Sequence, residues 1–374
     1  MANHSFKVAM IGGGLNSAVG RTHEIALKLD NEFRLVAGCF SRCADINQAT
    51  ADAYRIESGR VYDTADALIS AEYKNIDAVV LATPIDSHSR FIHAALDSGL
   101  TVICDKPLLA NVSEADKLLS RLSVNSLKVF SIFNYTGYPA VREIRKRIRQ
   151  GDVGTVFKIM AEMPQDSYLR LNNSGKVSAI QPWRLIDGDI PCLSLDLFVH
   201  VHSLVNFMVG GVPVCVDARS RSVSGVADGL IDDVDALIGY DNGMFLNAWY
   251  GKAALGYRNG LRLRIFGSKG SFEWLQELPE EIRYSDRLGD RYLLDRISST
   301  AEITQELRYN RFKAGHPAGF IEAFSNYYSD IARAMRDGVL NEYTLSLGVA
   351  VEGIKVCNAI HQSSEFRREV AVDL

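Results

Sequence analysis

Hydrophobic and polar positions fall into two textures along the 374 residues. In the first third, compact apolar runs at residues 6–11, 33–40, 76–83, 101–104 and 128–133 read as strands. Helical spacing fills the gaps between them. One pattern carries Ile25, Ala26 and Leu27, another covers residues 91–98, and a third opens with Ser113-x-x-Asp116, a variant of the capping box. Strands that alternate with helices predict a parallel sheet with right-handed crossovers.

The second texture begins with a basic amphipathic helix over residues 139–150. Val141, Ile144 and Ile148 form its apolar stripe, and Arg142, Arg145, Lys146, Arg147 and Arg149 read as a solvated face. Strand patterns follow at 156–163, 214–223, 236–240, 244–250 and 261–266, mostly without intervening helices. Asp241-Asn242-Gly243 is a hairpin signal, and residues 267–270 form another turn. This predicts a mostly antiparallel sheet, one face covering helices and the other open to a second subunit. A helix over 192–209 precedes it, and core-packing helices are expected at 320–334 and 347–361. The expected division is a doubly wound α/β domain over residues 1–133 and an α+β domain over 134–374 with a large open sheet. The last helices are free to pack back on the first domain.

Composition narrows the function. Hydrophobic residues make up 47% and charged residues 23%, with a net charge of −4 and no basic blocks. Neither nucleic acid nor a membrane surface is an expected partner. No apolar run approaches the roughly 18 residues that span a bilayer, and residues 1–6 are short and polar, so no signal peptide is expected and the cytoplasm is the expected location. Cys39, Cys43, Cys104, Cys192, Cys215 and Cys357 are scattered without a C-x-x-C pair, and read as free thiols. No metal site is read.

Candidate chemistry sits at three places. The first strand runs into Gly12-Gly13-Gly14, then Leu15-Asn16-Ser17 and, three residues late for a G-x-G-x-x-G fingerprint, Gly20. Strand, glycine turn and helix is the context of a dinucleotide site, where glycines admit the pyrophosphate to the backbone; a ligand-free glycine turn reads equally well. The second strand ends at Ser41-Arg42 with no acid until Asp45. An NAD site usually has an acid there, so the pattern leans towards NADP, unless Arg42 simply faces solvent. The third strand leads into a loop, with Thr83, Pro84 and His88, that should lie over the cofactor. Asp105-Lys106-Pro107 follows the fourth strand, where α/β sheets bind ligands. Lys106 reads there either as a solvated lysine or as a partner for a reacting oxygen. Asp196 and His200, four apart in an apolar helix, are either a catalytic acid–imidazole pair or a buried tie between helices.

Taken in order, Gly12-Gly13-Gly14, Asp105-Lys106-Pro107 and Asp196-x-x-x-His200 resemble the glucose–fructose oxidoreductase/inositol dehydrogenase/rhizopine catabolism (Gfo/Idh/MocA) family. Residues 134–139, 267–274 and 315–320 resemble a subgroup of it. The resemblance implies a Rossmann domain followed by a domain whose open sheet commonly forms a dimer or tetramer interface. It implies hydride transfer between a sugar-like or cyclitol alcohol and NAD or NADP. Lys106 would bind substrate and position the nicotinamide, and His200 would take the hydroxyl proton with help from Asp196. Expected cofactor contacts are Gly12, Gly13, Gly14, Leu15, Asn16, Ser41, Arg42, Thr83, Pro84, His88, Asp105 and Lys106. Expected substrate contacts are Asn134, Tyr135, Gln165, Trp183, Arg184 and His316. Trp183-Arg184 reads equally as a sugar platform or as an apolar anchor beside a surface arginine. Three departures stand out: Asp105 where the family has Glu, Phe198 where many members have Gly, and Ser203 where many have Asp. Related branches offer two other readings, a glycosidase that retains NAD and works by transient oxidation, and a non-catalytic NADP sensor.

Overall fold

A computed structural model describes residues 5–374. Residues 1–4, part of the polar lead-in considered above, lie outside the described residues. The chain divides into two compact units. The first takes residues up to Leu109, Ser113–Gly137 and Phe320–Val351; the second takes Ala110–Val112, Tyr138–Gly319 and Glu352–Leu374.

Elements run in the order β1 (Phe6–Gly12), α1 (Gly20–Leu29), β2 (Phe33–Cys39), α2 (Ala44–Tyr54), α3 (Ala65–Glu72), β3 (Ala78–Ala82), α4 (His88–Asp97), β4 (Thr101–Asp105), α5 (Val112–Arg121) and β5 (Val129–Ile132). There follow α6 (Pro139–Gln150), β6 (Val156–Pro164), a π-helical segment (Ser194–Phe198) and α7 (Val199–Met208). Next come β7 (Pro213–Arg221), β8 (Asp233–Tyr240), β9 (Phe245–Gly251), β10 (Arg262–Gly267), β11 (Gly270–Leu275), β12 (Ile282–Asp286) and β13 (Arg291–Leu294). The chain closes with α8 (Phe320–Asp337), α9 (Leu347–Phe366) and β14 (Val370–Ala371).

In the first unit, five parallel strands form a sheet in the order β2-β1-β3-β4-β5. Every residue of β3 is buried, as expected of a strand covered on both faces. The carboxyl ends of all five strands share one edge, and the strand order reverses between β1 and β3, where doubly wound sheets bind ligands. Helix α5 begins at Val112, so Ser113 lies in its first turn rather than before it as the capping-box reading had it.

The second unit holds a nine-stranded sheet, β13-β12-β11-β10-β6-β9-β8-β7-β14, antiparallel except for β6 beside β9. Alternation along its strands is regular: Val234, Ala236 and Ile238 of β8 are buried, while Asp235 and Leu237 are exposed. The apolar inner face and charged outer face follow from that period of two.

Helix α6 corrects the solvated-face reading. Arg142, Arg145 and Arg147 are buried. Arg142 donates to the Tyr309 hydroxyl at 2.7 Å, and the Arg145 guanidinium lies 4.4 Å above the Phe207 ring. Arg147 bonds Glu143 at 3.0 Å and the Thr300 carbonyl at 2.6 Å. Long stems covered by apolar neighbours, with each head group given a partner, make burial of these arginines tolerable. The cysteines are all free thiols, with Cys43 exposed and Cys215 half-buried. Among the described residues no helix is long and apolar enough to cross a membrane.

Candidate active site

The glycine turn between β1 and α1 is tightly built. Gly12 and Gly13 have φ of +81° and +71°, the left-handed region that favours glycine. A Cβ on Gly12 would lie 2.5 Å from the Ala82 carbonyl oxygen. Gly20, out of register for the fingerprint, is where α1 starts, and a Cβ there would fall 2.1 Å from the Gly13 carbonyl oxygen. It therefore does the close helix–strand packing of the fingerprint's last glycine. Ser17 closes the longer loop by accepting from the Val19 and Gly20 amides at 3.3 and 3.2 Å. Leu15 and Asn16 are exposed on the same loop.

At the end of β2, Ser41 accepts from the Cys43 amide at 3.1 Å. Arg42 is exposed, and its guanidinium makes no ion pair or hydrogen bond among the described residues. At the end of β3, Ser87 donates to the Thr83 hydroxyl at 2.8 Å. His88 is placed beneath this loop, buried, rather than on its surface. Its Nε2 faces the Thr83 carbonyl at 2.9 Å, and its Nδ1 faces the Pro107 carbonyl at 3.0 Å. It ties the β3 loop to the turn after β4.

Asp105 closes β4, and Lys106 and Pro107, joined by a cis peptide, follow it. Asp105 faces the fully buried His23 of α1, whose Nε2 lies 3.4 Å from Oδ1. Burial works to raise the Asp105 pKa, but the His23 contact and the electrostatic influence of His23, Lys106 and His88 outweigh it and hold the carboxyl below the ordinary aspartate value. Beyond β5, Asn134 is buried with Nδ2 lacking a hydrogen-bond partner in the protein. Tyr135 is buried beside Phe320.

The second unit assembles another group. Asp196 lies in the π-helical segment and His200 in the first turn of α7, both buried. Wide turns of this kind recur at functional sites. Asp196 Oδ2 receives two cations: Arg184, and Lys252 at 2.5 Å. Burial works against the charged form of Arg184, yet the Asp196 carboxylate raises its pKa above the usual value. Lys252, as buried as Asp196, sits 5.4 Å over the Tyr168 ring, and Arg184 lies 4.3 Å over Trp183. Lys252 escaped the sequence reading because it lies 56 residues from Asp196, among glycine and alanine.

The departures find places too. Phe198 packs against Tyr250, with ring centres 5.6 Å apart, and Ser203 donates to the His200 carbonyl at 2.9 Å. Gln165 donates to Asn259 at 2.9 Å, which donates in turn to Gln276 at 2.6 Å. His316 is exposed; its carbonyl accepts from Arg296 at 2.8 Å, and no hydrogen bond or ion pair joins its ring to the Asp196 group.

Residues 6–133 match the model of the Gfo/Idh/MocA oxidoreductase family with its NAD-binding Rossmann fold, and residues 141–273 match the family's C-terminal domain. The chain belongs to this oxidoreductase family. An uncharacterised oxidoreductase of Bacillus subtilis, YfiI, is 28% identical over 93% of the chain and 91% of its own length. The inositol 2-dehydrogenase of Rhizobium meliloti is 26% identical over 76% of the chain and 80% of its own length. An inositol dehydrogenase homologue of Azotobacter vinelandii, solved with NADH and myo-inositol, superposes with a TM-score of 0.87 at 27% identity, covering 99% of this chain and 98% of that one. The protein is thus an NAD(P)-dependent oxidoreductase, with a parallel Rossmann sheet and a large, mostly antiparallel second sheet. The cofactor fits its glycine turn: Gly12 and Gly13 can carry no side chain without a clash, so the backbone between β1 and α1 stays bare for a pyrophosphate.

Proposed function

We propose that the protein transfers a hydride between NAD(P) and a secondary alcohol of a sugar, sugar derivative or cyclitol, with Lys106, Asp196 and His200 at the reaction. The observation that carries this is Lys106 at the carboxyl end of β4 in an NAD-binding Rossmann domain. Related proteins named for inositol, D-apiose and levoglucosan dehydrogenation support the substrate class. Nicotinamide supplies the hydride chemistry. The Lys106 ammonium stabilises the alkoxide that develops on the substrate oxygen, and the His200 imidazole takes the hydroxyl proton. Asp196 stays ionised between Arg184 and Lys252 and favours the imidazolium that His200 forms.

Two finer readings accompany this. Ser41 and an unpaired Arg42 where an acid would hold the ribose hydroxyls favour NADP over NAD. The outer face of the second sheet, with Leu237, Phe245 and Trp249 set among charged residues, supports self-association into a dimer or tetramer.

The test is a panel of sugars and cyclitols, read by reduced-nicotinamide absorbance with NAD and with NADP. One polyol at least should be oxidised by the wild type, faster with NADP. Lys106→Ala and His200→Ala should each lower kcat/KM by about a hundredfold or more. Full activity in both variants would sink the assigned roles. Tightly held NAD with no net reduction would favour a redox glycosidase.

A further inference from the structure

Two buried titratable side chains of the first unit, His23 and Tyr328, have no part in the chemistry above. His23 projects from α1 three residues after Gly20, and Tyr328 from α8. The His23 Nδ1 lies 2.8 Å from the Tyr328 hydroxyl, and its Nε2 faces Asp105 at 3.4 Å. Phe324 packs edge-on against the imidazole, ring centres 5.3 Å apart, so the ring has little freedom to turn. A carboxylate only accepts, so Nε2 faces Asp105 as N–H. Nδ1 then accepts the Tyr328 hydroxyl hydrogen when the ring is neutral and donates to its oxygen when the ring is charged. The ring thus lies in a line from Tyr328 to Asp105, hydrogen-bonded at Nδ1 and within ion-pair distance, but short of hydrogen-bond geometry, at Nε2; Asp105 precedes Lys106 in the chain.

The groups facing Asp105 come from every element packed around it: His23 from α1, with Tyr328 of α8 behind it, His88 from α4, and Cys104 and Lys106 from β4 and its end. Tyr328 and Cys104 are buried thoroughly enough to stay neutral, so they add no charge at ordinary pH. Among the described residues, His23 is the one partner that reaches the Asp105 carboxylate directly from another element.

We propose that His23, steadied by Tyr328, is a positioning residue that holds the Asp105 carboxylate, and with it the strand end that carries Lys106, in place. The proposal rests on the reading of Lys106 as the group that faces substrate. Without His23, burial governs Asp105 and its carboxyl takes up a proton at higher pH.

The experiment compares full-length wild type with His23→Leu, His23→Gln, Tyr328→Phe and Asp105→Asn. Carbon-13 NMR of the cofactor-free protein follows the Asp105 carboxyl, assigned by its absence in Asp105→Asn. Wild-type Asp105 should titrate below the ordinary aspartate range. In His23→Leu its titration should rise by about one pH unit or more. In His23→Gln, whose amide can still donate, and in Tyr328→Phe the rise should be smaller. An Asp105 titration unmoved by His23→Leu would overturn the proposal. If His23→Leu fails to fold, the glutamine and phenylalanine variants carry the same test.

Turnover gives the second readout. In His23→Leu, the acidic limb of kcat/KM should move up by the same unit or more as the Asp105 titration, so that turnover falls in acid and recovers towards neutral pH as Asp105 ionises again. In Asp105→Asn it should stay low throughout. A loss in His23→Leu that is equal at every pH would mark a merely structural role and overturn the proposal. The NMR readout needs no substrate. A wild type that oxidises no alcohol therefore counts against the Lys106 reading alone, and the titration still decides the part of His23.

Discussion

Lys252 illustrates how much of a site can depend on a residue with no local mark. It shares the Asp196 carboxylate with Arg184 in buried surroundings, and breaking such a group leaves a charge uncompensated. Lys252→Met should destabilise the protein by about 3 kcal/mol, read by denaturant unfolding. In the assay of the proposed reaction it should also lower kcat/KM at least tenfold, because Asp196 loses one of the cations that fix it. Wild-type stability and turnover in this variant would make the pair ornamental. At this scale the sequence was partly legible. Lys106, Asp196 and His200 declare themselves by ionisable chemistry next to apolar runs. Lys252 and His23 do not, since their roles come from residues 56 and 82 positions away. His88 was visible as a loop histidine, but its inward turn onto two carbonyls depends on the β4 turn folding beneath it.

Elements bury charge more readily than periodicity suggests. On α6 the apolar stripe was correctly placed, yet three flanking arginines are buried as well. A helical wheel cannot register partners that arrive from residues 300–309. Glu143 on that helix accepts the Glu302 and Ile303 amides at 3.0 and 2.7 Å, besides Arg147. Glu143→Gln keeps the shape and removes the charge; it should cost about 2 kcal/mol, measured by urea unfolding. The end of α3 carries a pH-dependent counterpart. Glu72 is held below its ordinary pKa by its hydrogen bonds to Arg60, against the effect of burial, and with help from Tyr62. For a depressed carboxyl the stabilisation is complete above the unfolded value, roughly pH 4.3, and fades as pH falls through the lower folded value. Glu72→Gln should therefore lower Tm at pH 7, with the difference from wild type narrowing in acid. A gap that is constant with pH would exclude this linkage.

For the molecule as a whole, both sheets were foreseen in type, because alternation with helices and period-two patterning survive in the sequence. Strands β11, β12 and β13 were missed: β11 begins inside what read as a turn, and the other two are short and rich in polar side chains. Cofactor choice is a property measured on the intact protein. At a concentration 100 times its Kd, a ligand adds about 2.7 kcal/mol to stability, so NADP should raise Tm more than NAD at equal concentration if Arg42 receives a phosphate. Equal shifts would remove that preference. The discontinuous first unit carries a consequence for biosynthesis. Its α8 supplies Tyr328 to α1 and the Ser325 and Ser329 hydroxyls to Asp30, nearly 300 residues upstream. On the ribosome, the five-stranded sheet can pair early, but the face of α1 that meets α8 stays bare until some 200 further residues have been made. A nascent chain arrested before residue 320 should accordingly be cut by protease within α1, and one arrested after the whole of α8 has left the exit tunnel should resist.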